Sequence, residues 1–339
     1  MVYIILVNWN GWRDTIECLE SVLRLRYDQF RVLVCDNGSS DGSLDRIADW
    51  AQGSLHAECM NPQLHYLTSP PLPKPIPFLR VEPGSSIDLR EHPEQLILVQ
   101  TGANLGFAGG NNVGLRLSLS AGDLEYAWLL NNDTVVDPDA LSHMIERMRA
   151  RPDAGMCGST LLYYHQPATV QALGGARYNR WLARVGHIGT GTTWTGIADP
   201  TSVEAQMNYV VGASMLVSGD FLRRVGLMDE RYFLYFEEID WATCAHGLFT
   251  LAYSPQSLVY HKEGATIGTS GLLNTERSEL CESLASQNRI LVTRRFFKIC
   301  LPSVLLAMMA SALHRLFTGR SRHFLLLIDG MGRGLFFKK

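Results

Sequence analysis

The sequence predicts an α/β fold: a mostly parallel central sheet with packed helices, followed by a helical C-terminal extension. Three observations predict it. Short apolar runs alternate with helix-like segments through the first half, as strands and crossover helices do in parallel sheets. Polar or glycine-rich turns follow these runs at 8–11, 36–42 and 131–134, where ligands of open α/β sheets bind. From residue 276 the chain reads as helical, and residues 299–313 are nearly uncharged.

Residues 2–7 read as a buried first strand, because no basic stretch precedes them and the run is too short for a signal-peptide core. Helix-like 13–25 and strand-like 31–35 follow, then a helix at 43–51 and a strand at 96–100. Residues 112–119 read as part of a helix, 126–130 as a strand, and 138–149 as a helix opened by proline. Between 61 and 93, prolines at 62, 70, 71, 73, 75, 77, 83 and 93 forbid regular structure. That stretch is a surface excursion, either an ordinary loop or a lid facing a substrate. Further on, 209–217 reads as one strand, 220–225 as a short helix, and 250–253 and 258–260 as two strands.

The chain has 339 residues, 46% of them hydrophobic, which is ample for a large core. Its net charge of −3 offers no global basic field, so nucleic acid is not an expected partner. Seven cysteines at irregular spacing show no zinc pattern and fit reduced thiols in a cytosol.

Tyr235-Phe236-Glu237-Glu238-Ile239-Asp240-Trp241 places three acids within four positions beside aromatic rings. Acids are rarely buried unless paired. On a helix, Glu237 and Asp240 share one face and Glu238 lies on the next. An apolar wall raises a carboxyl's pKa and suits it to act as a general base near neutrality. The same acids would also complement the dipole of a helix N-terminus.

Three other segments carry chemistry. Cys35-Asp36-Asn37-Gly38-Ser39-Ser40-Asp41-Gly42-Ser43 leaves a strand for a helix. Asp36 stands where a nucleobase imide can be hydrogen-bonded, whereas Asp41 or Ser43 can cap the helix. The glycine-rich link 101–112 matches neither a Walker A loop nor a dinucleotide fingerprint. It serves either close approach of a ligand or the start of a helix. Trp128-Leu129-Leu130-Asn131-Asn132-Asp133-Thr134 is a strand ending in a carboxylate, which can hold Mg²⁺ or Mn²⁺ with diphosphate oxygens completing the shell. His261, at another strand end, is either a second ligand, favouring Mn²⁺, or an ordinary structural histidine.

In this order these segments resemble the inverting family 2 glycosyltransferases of the GT-A fold, together with Val7-Asn8-Trp9-Asn10-Gly11, Gly212-Ala213-Ser214-Met215-Leu216, Gly226-Leu227-Met228-Asp229-Glu230 and His261-Lys262-Glu263-Gly264. The resemblance covers roughly residues 2–264 and is nearest to bacterial rhamnosyltransferase-like members that build cell-surface polysaccharides. It implies a nucleotide pocket of Asn8, Asn10, Asp36, Asp41, Asn104, Gly106 and Asn132, with Asp36 on the pyrimidine. It implies Asp133 and His261 as holders of a divalent cation, Mn²⁺ or Mg²⁺, and Glu238 of the Glu237–Glu238–Asp240 cluster as the base. The Gly212-Ala213-Ser214 loop would border the acceptor. There are departures. Asn131 stands where many relatives have aspartate, and Glu238 replaces an aspartate, so Asp240 stays an alternative base. Cys244 sits where relatives usually carry arginine.

The expected reaction is a single displacement at the anomeric carbon of a nucleoside-diphosphate sugar, with dTDP-L-rhamnose the leading donor. The acceptor would be a hydroxyl of a lipid-linked or polysaccharide glycan. A sugar nucleotidyltransferase would carry a basic glycine-rich N-terminal signature, and residues 8–14 hold one arginine and no lysine. A non-catalytic nucleotide-sugar-binding protein would have lost the acids at 133 or 238, and both are present. The expected division is a catalytic domain at 1–270, with a nucleotide half at 1–135 and an acceptor half at 136–270, then a helical segment at 271–339. That segment is basic and aromatic at 289–298, and the apolar run 299–313 falls short of a span. It is expected to attach a cytoplasmic enzyme peripherally to the anionic inner face of the plasma membrane, or else to pack on the domain or form a homodimer contact.

Overall fold

The computed structural model describes residues 1–85, 87–196, 198–262 and 279–337. The first half runs β1 (Val2–Asn8), α1 (Trp12–Val22), β2 (Phe30–Asp36), α2 (Ser43–Gln52), β3 (Phe78–Val81), β4 (Leu96–Gln100), α3 (Gly106–Ser120) and β5 (Tyr126–Asn131). Then come β6 (Thr134–Val136), α4 (Ala140–Ala150), β7 (Ala154–Tyr163), β8 (Gln166–Leu173), β9 (Gly175–Asn179), β10 (Arg184–His187), α5 (Pro200–Glu204), β11 (Tyr209–Val210) and β12 (Ser214–Ser218). The chain continues through α6 (Gly219–Val225), α7 (Glu237–Cys244) and β13 (Thr250–His261) to α8 (Glu279–Phe296), α9 (Leu301–Phe317) and α10 (Ser321–Phe336).

The large sheet has the order β3-β4-β2-β1-β5-β12-β7-β13-β6, with β8 hydrogen-bonded to β7. The pairs among β3, β4, β2, β1 and β5 are all parallel, as the alternation predicts. Strand β1 is wholly apolar through Val7 and is buried between helices on both faces, the usual state of a parallel central strand. Strand β12 enters antiparallel to both β5 and β7 and joins the two halves of the sheet.

Four sequence expectations change. The stretch 61–93, expected to hold no regular structure, carries β3, which pairs parallel to β4 at the edge of the large sheet. Helix α3 starts at Gly106, so most of the glycine-rich link is helix rather than loop. Its glycines serve packing: a Cβ on Gly114 would lie 2.7 Å from Ile5 Cγ2, and one on Gly110 would lie 2.8 Å from Val7 Cγ1. The run 209–217 is two strands in two sheets, because the chain crosses from β11, on the small β10-β9-β11 sheet, to β12 at 211–213. The runs 250–253 and 258–260 are one strand, β13, whose register shifts between Ser254 and Leu258.

The proline-rich excursion is anchored to the body of the protein. Its 3₁₀ turn Pro62–Leu67 buries Leu64 and Leu67 against Val135, Leu162 and Tyr260. Its centre is held by Glu20 of α1, a carboxylate 1% exposed. Glu20 accepts from Trp50 Nε1 at 2.9 Å and from the Leu72 amide at 2.9 Å, and pairs with Arg24 and Lys74. Helix α8 packs on the sheet domain, and α10 lies along α8 with α9 against α10. The expected boundary at 270/271 falls within 263–278, outside the described residues.

Candidate active site

The parallel register decides which side chains meet. Asn8 pairs with Asp36 across β1 and β2, and Val7 faces Asn131 across β1 and β5. Asn8 Nδ2 donates to Asp36 Oδ1 at 2.7 Å. The Asp36 carboxylate also accepts from Ser39 Oγ at 2.6 Å, from the Ser39 amide at 3.2 Å and from Gln100 Nε2 at 3.2 Å. Asn10, in left-handed geometry at φ 52°, accepts from the Ser40 amide at 2.8 Å. These bonds clamp the turn after β1 to the turn after β2 and fix Asp36 at the sheet's carboxyl edge.

Other expected residues gather around this pair in differing roles. Asn132 Nδ2 donates to Thr15 Oγ1 at 2.9 Å, and Thr15 donates to Asn8 Oδ1 at 2.9 Å, so Asn132 braces Asn8 from below. Asn104 Oδ1 accepts from Asn37 Nδ2 at 3.1 Å and from the Gly106 amide at 3.0 Å, tying the start of α3 to the end of β2. Asp41 turns to its own helix, accepting from the Ser43 amide at 3.0 Å and Ser43 Oγ at 2.5 Å. The N-cap is Gly42, without a side-chain cap bond, so Asp41 lies one residue before the cap and fastens the turn to Ser43 rather than capping the helix.

Asp133 and His261 come together, as expected of a cation site. Asp133 is 5% and His261 7% exposed, and Asp133 Oδ1 lies 3.1 Å from His261 Nε2. That spacing matches neighbouring corners of an octahedral shell with metal–ligand distances of about 2.1 Å. Burial would raise the Asp133 pKa, but His261 and Lys262 outweigh it and hold the carboxyl below the usual range. His261 Nδ1, facing Gln171 Oε1 at 3.0 Å, carries a proton, so Nε2 donates to Asp133 when the ring is charged and offers a lone pair there to a cation when it is neutral. Among the described residues no group of three acid, histidine or cysteine side chains forms a cation cage. The pair therefore fits a cation whose remaining ligands come from elsewhere, such as diphosphate oxygens. Lys262 reaches Asp14 and, at 2.6 Å, Glu17, locking the end of β13 to α1.

The acidic cluster is the first turn of α7, and its three acids are differently placed. Asp240 is 2% exposed; it accepts from Tyr232 OH at 2.8 Å and pairs with Arg295 at 2.7 Å. Glu237 is also 2% exposed, and its Oε2 has no hydrogen-bond partner among the described residues. Burial pushes its pKa well above the ordinary value, and the neighbouring Glu238 charge adds to this. Glu238 is partly exposed. Burial raises its pKa too, partly offset by its own N–H and that of Gly212. Its carboxylate lies close against Gly212, where a Cβ would be 2.5 Å from Oε1, so a larger residue there would displace the Glu238 side chain. The Gly212 loop and Glu238 thus lie side by side. Sequence reasoning missed Gln171, Asn288 and Arg295. Gln171 shows only as a buried polar position in β8, and the other two come from a helix far along the chain.

The family profile described as Glycosyl transferase family 2 matches residues 3–70 and 87–198. A curated relative, the low-salt glycan biosynthesis hexosyltransferase Agl10 of Haloferax volcanii, is 24% identical over 174 residues. That match covers 48% of this chain and 51% of the relative, so the chain spans about half the relative's length. Among solved structures, the mannosyltransferase PcManGT from Pyrobaculum calidifontis, in complex with GDP-Man and Mn²⁺, superposes with a TM-score of 0.52 at 14% identity. That superposition covers 100% of this chain and 88% of that one. GalNAc-T7 with UDP, GalNAc and Mn²⁺ also gives a TM-score of 0.52, at 12% identity, covering 87% of this chain and 47% of that one. The shared fold is the GT-A fold.

The buried Glu237 makes a pH prediction. Its folded pKa lies above the ordinary 4.5, so over that interval the native state holds a proton that the unfolded state has released. Stability is then fullest below the unfolded value and falls as pH rises through the folded one. Glu237→Gln removes this loss. Its Tm is expected to exceed that of the unsubstituted protein near pH 8, with the gap closing near pH 4. Thermal unfolding followed by circular dichroism at both pH values tests this, and an equal or lower Tm at the higher pH refutes it.

Proposed function

The chain belongs to glycosyl transferase family 2, and from that premise we propose that it transfers a sugar from a nucleoside diphosphate to a hydroxyl acceptor with inversion. The observation that carries this reading is the division of labour in the acidic cluster. Asp240 is committed to Tyr232 and Arg295, Glu237 is sealed in, and Glu238 alone is partly exposed with a raised proton affinity. Glu238 is the base in this reading. It takes the acceptor's proton as the acceptor oxygen attacks the anomeric carbon and the bond to the diphosphate breaks. One carboxylate suffices, because the departing diphosphate needs charge neutralisation rather than a protonated acid.

Asp133 and His261 would hold a divalent cation, which supplies that neutralisation when bound. Support comes from their 3.1 Å spacing and from the Mn²⁺ in the two solved relatives. Asn8 and Asp36 receive the nucleobase, with Asn10, Asp41, Asn104, Gly106 and Asn132 shaping the pocket around them. The preferred donor is a pyrimidine diphosphate sugar, dTDP-L-rhamnose first, and the acceptor is a lipid-linked or polysaccharide glycan of the cell surface. This part rests on the sequence resemblance.

In this reading the C-terminal layer attaches the enzyme to the cytoplasmic face of the plasma membrane. Two cations of the basic segment are engaged within the protein. Arg294 donates at 2.7 Å to the carbonyls of Gly334 and Leu335, and Arg295 binds Asp229 and Asp240. The apolar surface lies further on. Helix α9 buries Val304, Met308 and Ala312 on one face while Leu306, Met309, Leu313 and Phe317 are exposed on another. A helix that is apolar all round normally has cover on every side, and a lipid surface supplies it here. The continuous run Lys298–Phe317 has 20 residues and is long and apolar enough to cross a membrane, unlike the shorter run read from sequence.

Three measurements test this reading. Glu238→Gln should lower the transfer rate by about 10²–10⁴ while nucleotide still binds; a dead Asp240→Asn beside an active Glu238→Gln would reassign the base. Asp133→Ala, or excess chelator, should abolish transfer, and full activity under either removes the cation. Competition between dTDP, UDP and GDP decides the donor, with tight GDP binding overturning the pyrimidine assignment. For the membrane, the full chain should float with anionic liposomes, and a chain ending near residue 275, outside the described residues, should not. Flotation of both, or of neither, removes the C-terminal attachment, and self-association of the full chain without lipid points to a homodimer face.

A further inference from the structure

The segment 229–240, which leads into Glu238, is held in a conformation its residues disfavour. Phe233, Tyr235 and Phe236 have φ of 56°, 70° and 74°, where bulky residues are rarely found. Such geometry persists only where surrounding structure fixes it. The fixing groups lie on one face of α8. Asn288, 0% exposed, directs its Nδ2 at three carbonyls of this segment: Tyr232 at 2.6 Å, Leu234 at 2.9 Å and Tyr235 at 3.0 Å. Its Oδ1 has no hydrogen-bond partner among the described residues, so Asn288 acts here as a donor.

Seven residues later, two turns along the same helix face, Arg295 Nη1 reaches Asp229 Oδ2 at 2.6 Å and Asp240 Oδ2 at 2.7 Å. Asp229 opens the segment, capping the 3₁₀ turn Glu230–Tyr232, and Asp240 closes it. One helix face therefore grips the beginning, middle and end of a strained loop. From the other side the Phe107 amide donates to the Phe233 carbonyl at 2.6 Å, which ties the same loop to the start of α3.

We propose that α8 is a positioning element of the active site. Asn288 and Arg295 hold the 229–240 segment in the backbone shape that sets Glu238 against Gly212. Neither residue touches substrate; both act through the loop. The C-terminal extension is then part of the catalytic machinery as well as a surface for lipid. The kinetic half of this proposal rests on Glu238 as base, whereas the loop-holding half stands on geometry alone.

The decisive variant in the full chain is Asn288→Asp, which keeps the shape and replaces the donor with a carboxylate facing three carbonyls. Hydrogen exchange, read by mass spectrometry without substrate, should speed up about 10-fold or more in 229–240 and little in β1 or β2. Transfer should lose about 10-fold or more in kcat, with donor KM changed less than about 2-fold. Asn288→Ser, which retains a donor, should recover part of both. If Asn288→Asp does not fold, Arg295→Lys, which keeps the charge and loses the fork, is read in the same way. Unchanged exchange in 229–240 overturns the clamp. Equal losses in kcat and nucleotide affinity overturn the positioning role in favour of general destabilisation. An unsubstituted protein that transfers no sugar sinks the transferase reading, and the exchange result still decides the clamp.

Discussion

The site depends first on the register of three parallel strands. Side chains alternate across a strand, so slipping β1 by one residue against β2 or β5 would turn Asn8 away from Asp36 and break the line to Asn131. The register is held by a strand that is apolar from Val2 through Val7 and buried on both faces. Its polar end follows from the same rule. Once the apolar run stops at Asn8, the chain leaves the sheet, and the side chains there must satisfy one another. Asn8, Thr15, Asn132, Asp36 and Ser39 do so in one connected set of hydrogen bonds. Such a network keeps its polar atoms fixed, and a ligand meets groups already oriented.

The acids of α7 show burial separating three like groups. A carboxylate removed from water must be paired or must hold its proton more tightly. Asp240 is paired, by a tyrosine and an arginine. Glu237 is not, and its pKa rises furthest above the ordinary value. Burial raises Glu238 and the paired Asp240 as well, and of the three only Glu238 is partly exposed, near enough to the surface to exchange a proton. The same helical turn thus yields a brace, a buried acid and a group suited to proton transfer.

Much of this was legible in the sequence, for a physical reason. Alternation of strand and helix is a local pattern, and the strand-end positions of Asn8, Asp36, Asp133 and His261 follow from where apolar runs stop. The meeting of Asp133 with His261 needed the family resemblance as well, because 128 residues separate them. What stayed hidden depends on partners. The run 209–217 is apolar enough for either sheet, so nothing local marks the crossing at 211–213. The glycines of 101–112 suggested a loop, yet their missing side chains make room for Ile5 and Val7. The arginines near the C-terminus read as a lipid-facing charge patch, because sequence does not show that Asp229, Asp240 and two helix-end carbonyls await them. The apolar run of α9 was cut short at residue 313, before charge that the helix carries without ending.

Glu20 has a consequence for the order in which the chain assembles. Two of its partners lie nearer in sequence, Arg24 in the turn after α1 and Trp50 on α2, whereas the Leu72 amide is 52 residues away. Contacts across such separations form only after the loop-closure entropy has been overcome. The Arg24 and Trp50 contacts close shorter loops than the Leu72 contact, so Glu20 can engage those two before the excursion covers it. Until it does, Glu20 keeps its hydration and the apolar seat of Leu64 and Leu67 stays open. The proline-rich stretch thus ties α1 to strands much further along the chain, because Leu64 and Leu67 pack on Val135, Leu162 and Tyr260 while the Leu72 amide meets Glu20.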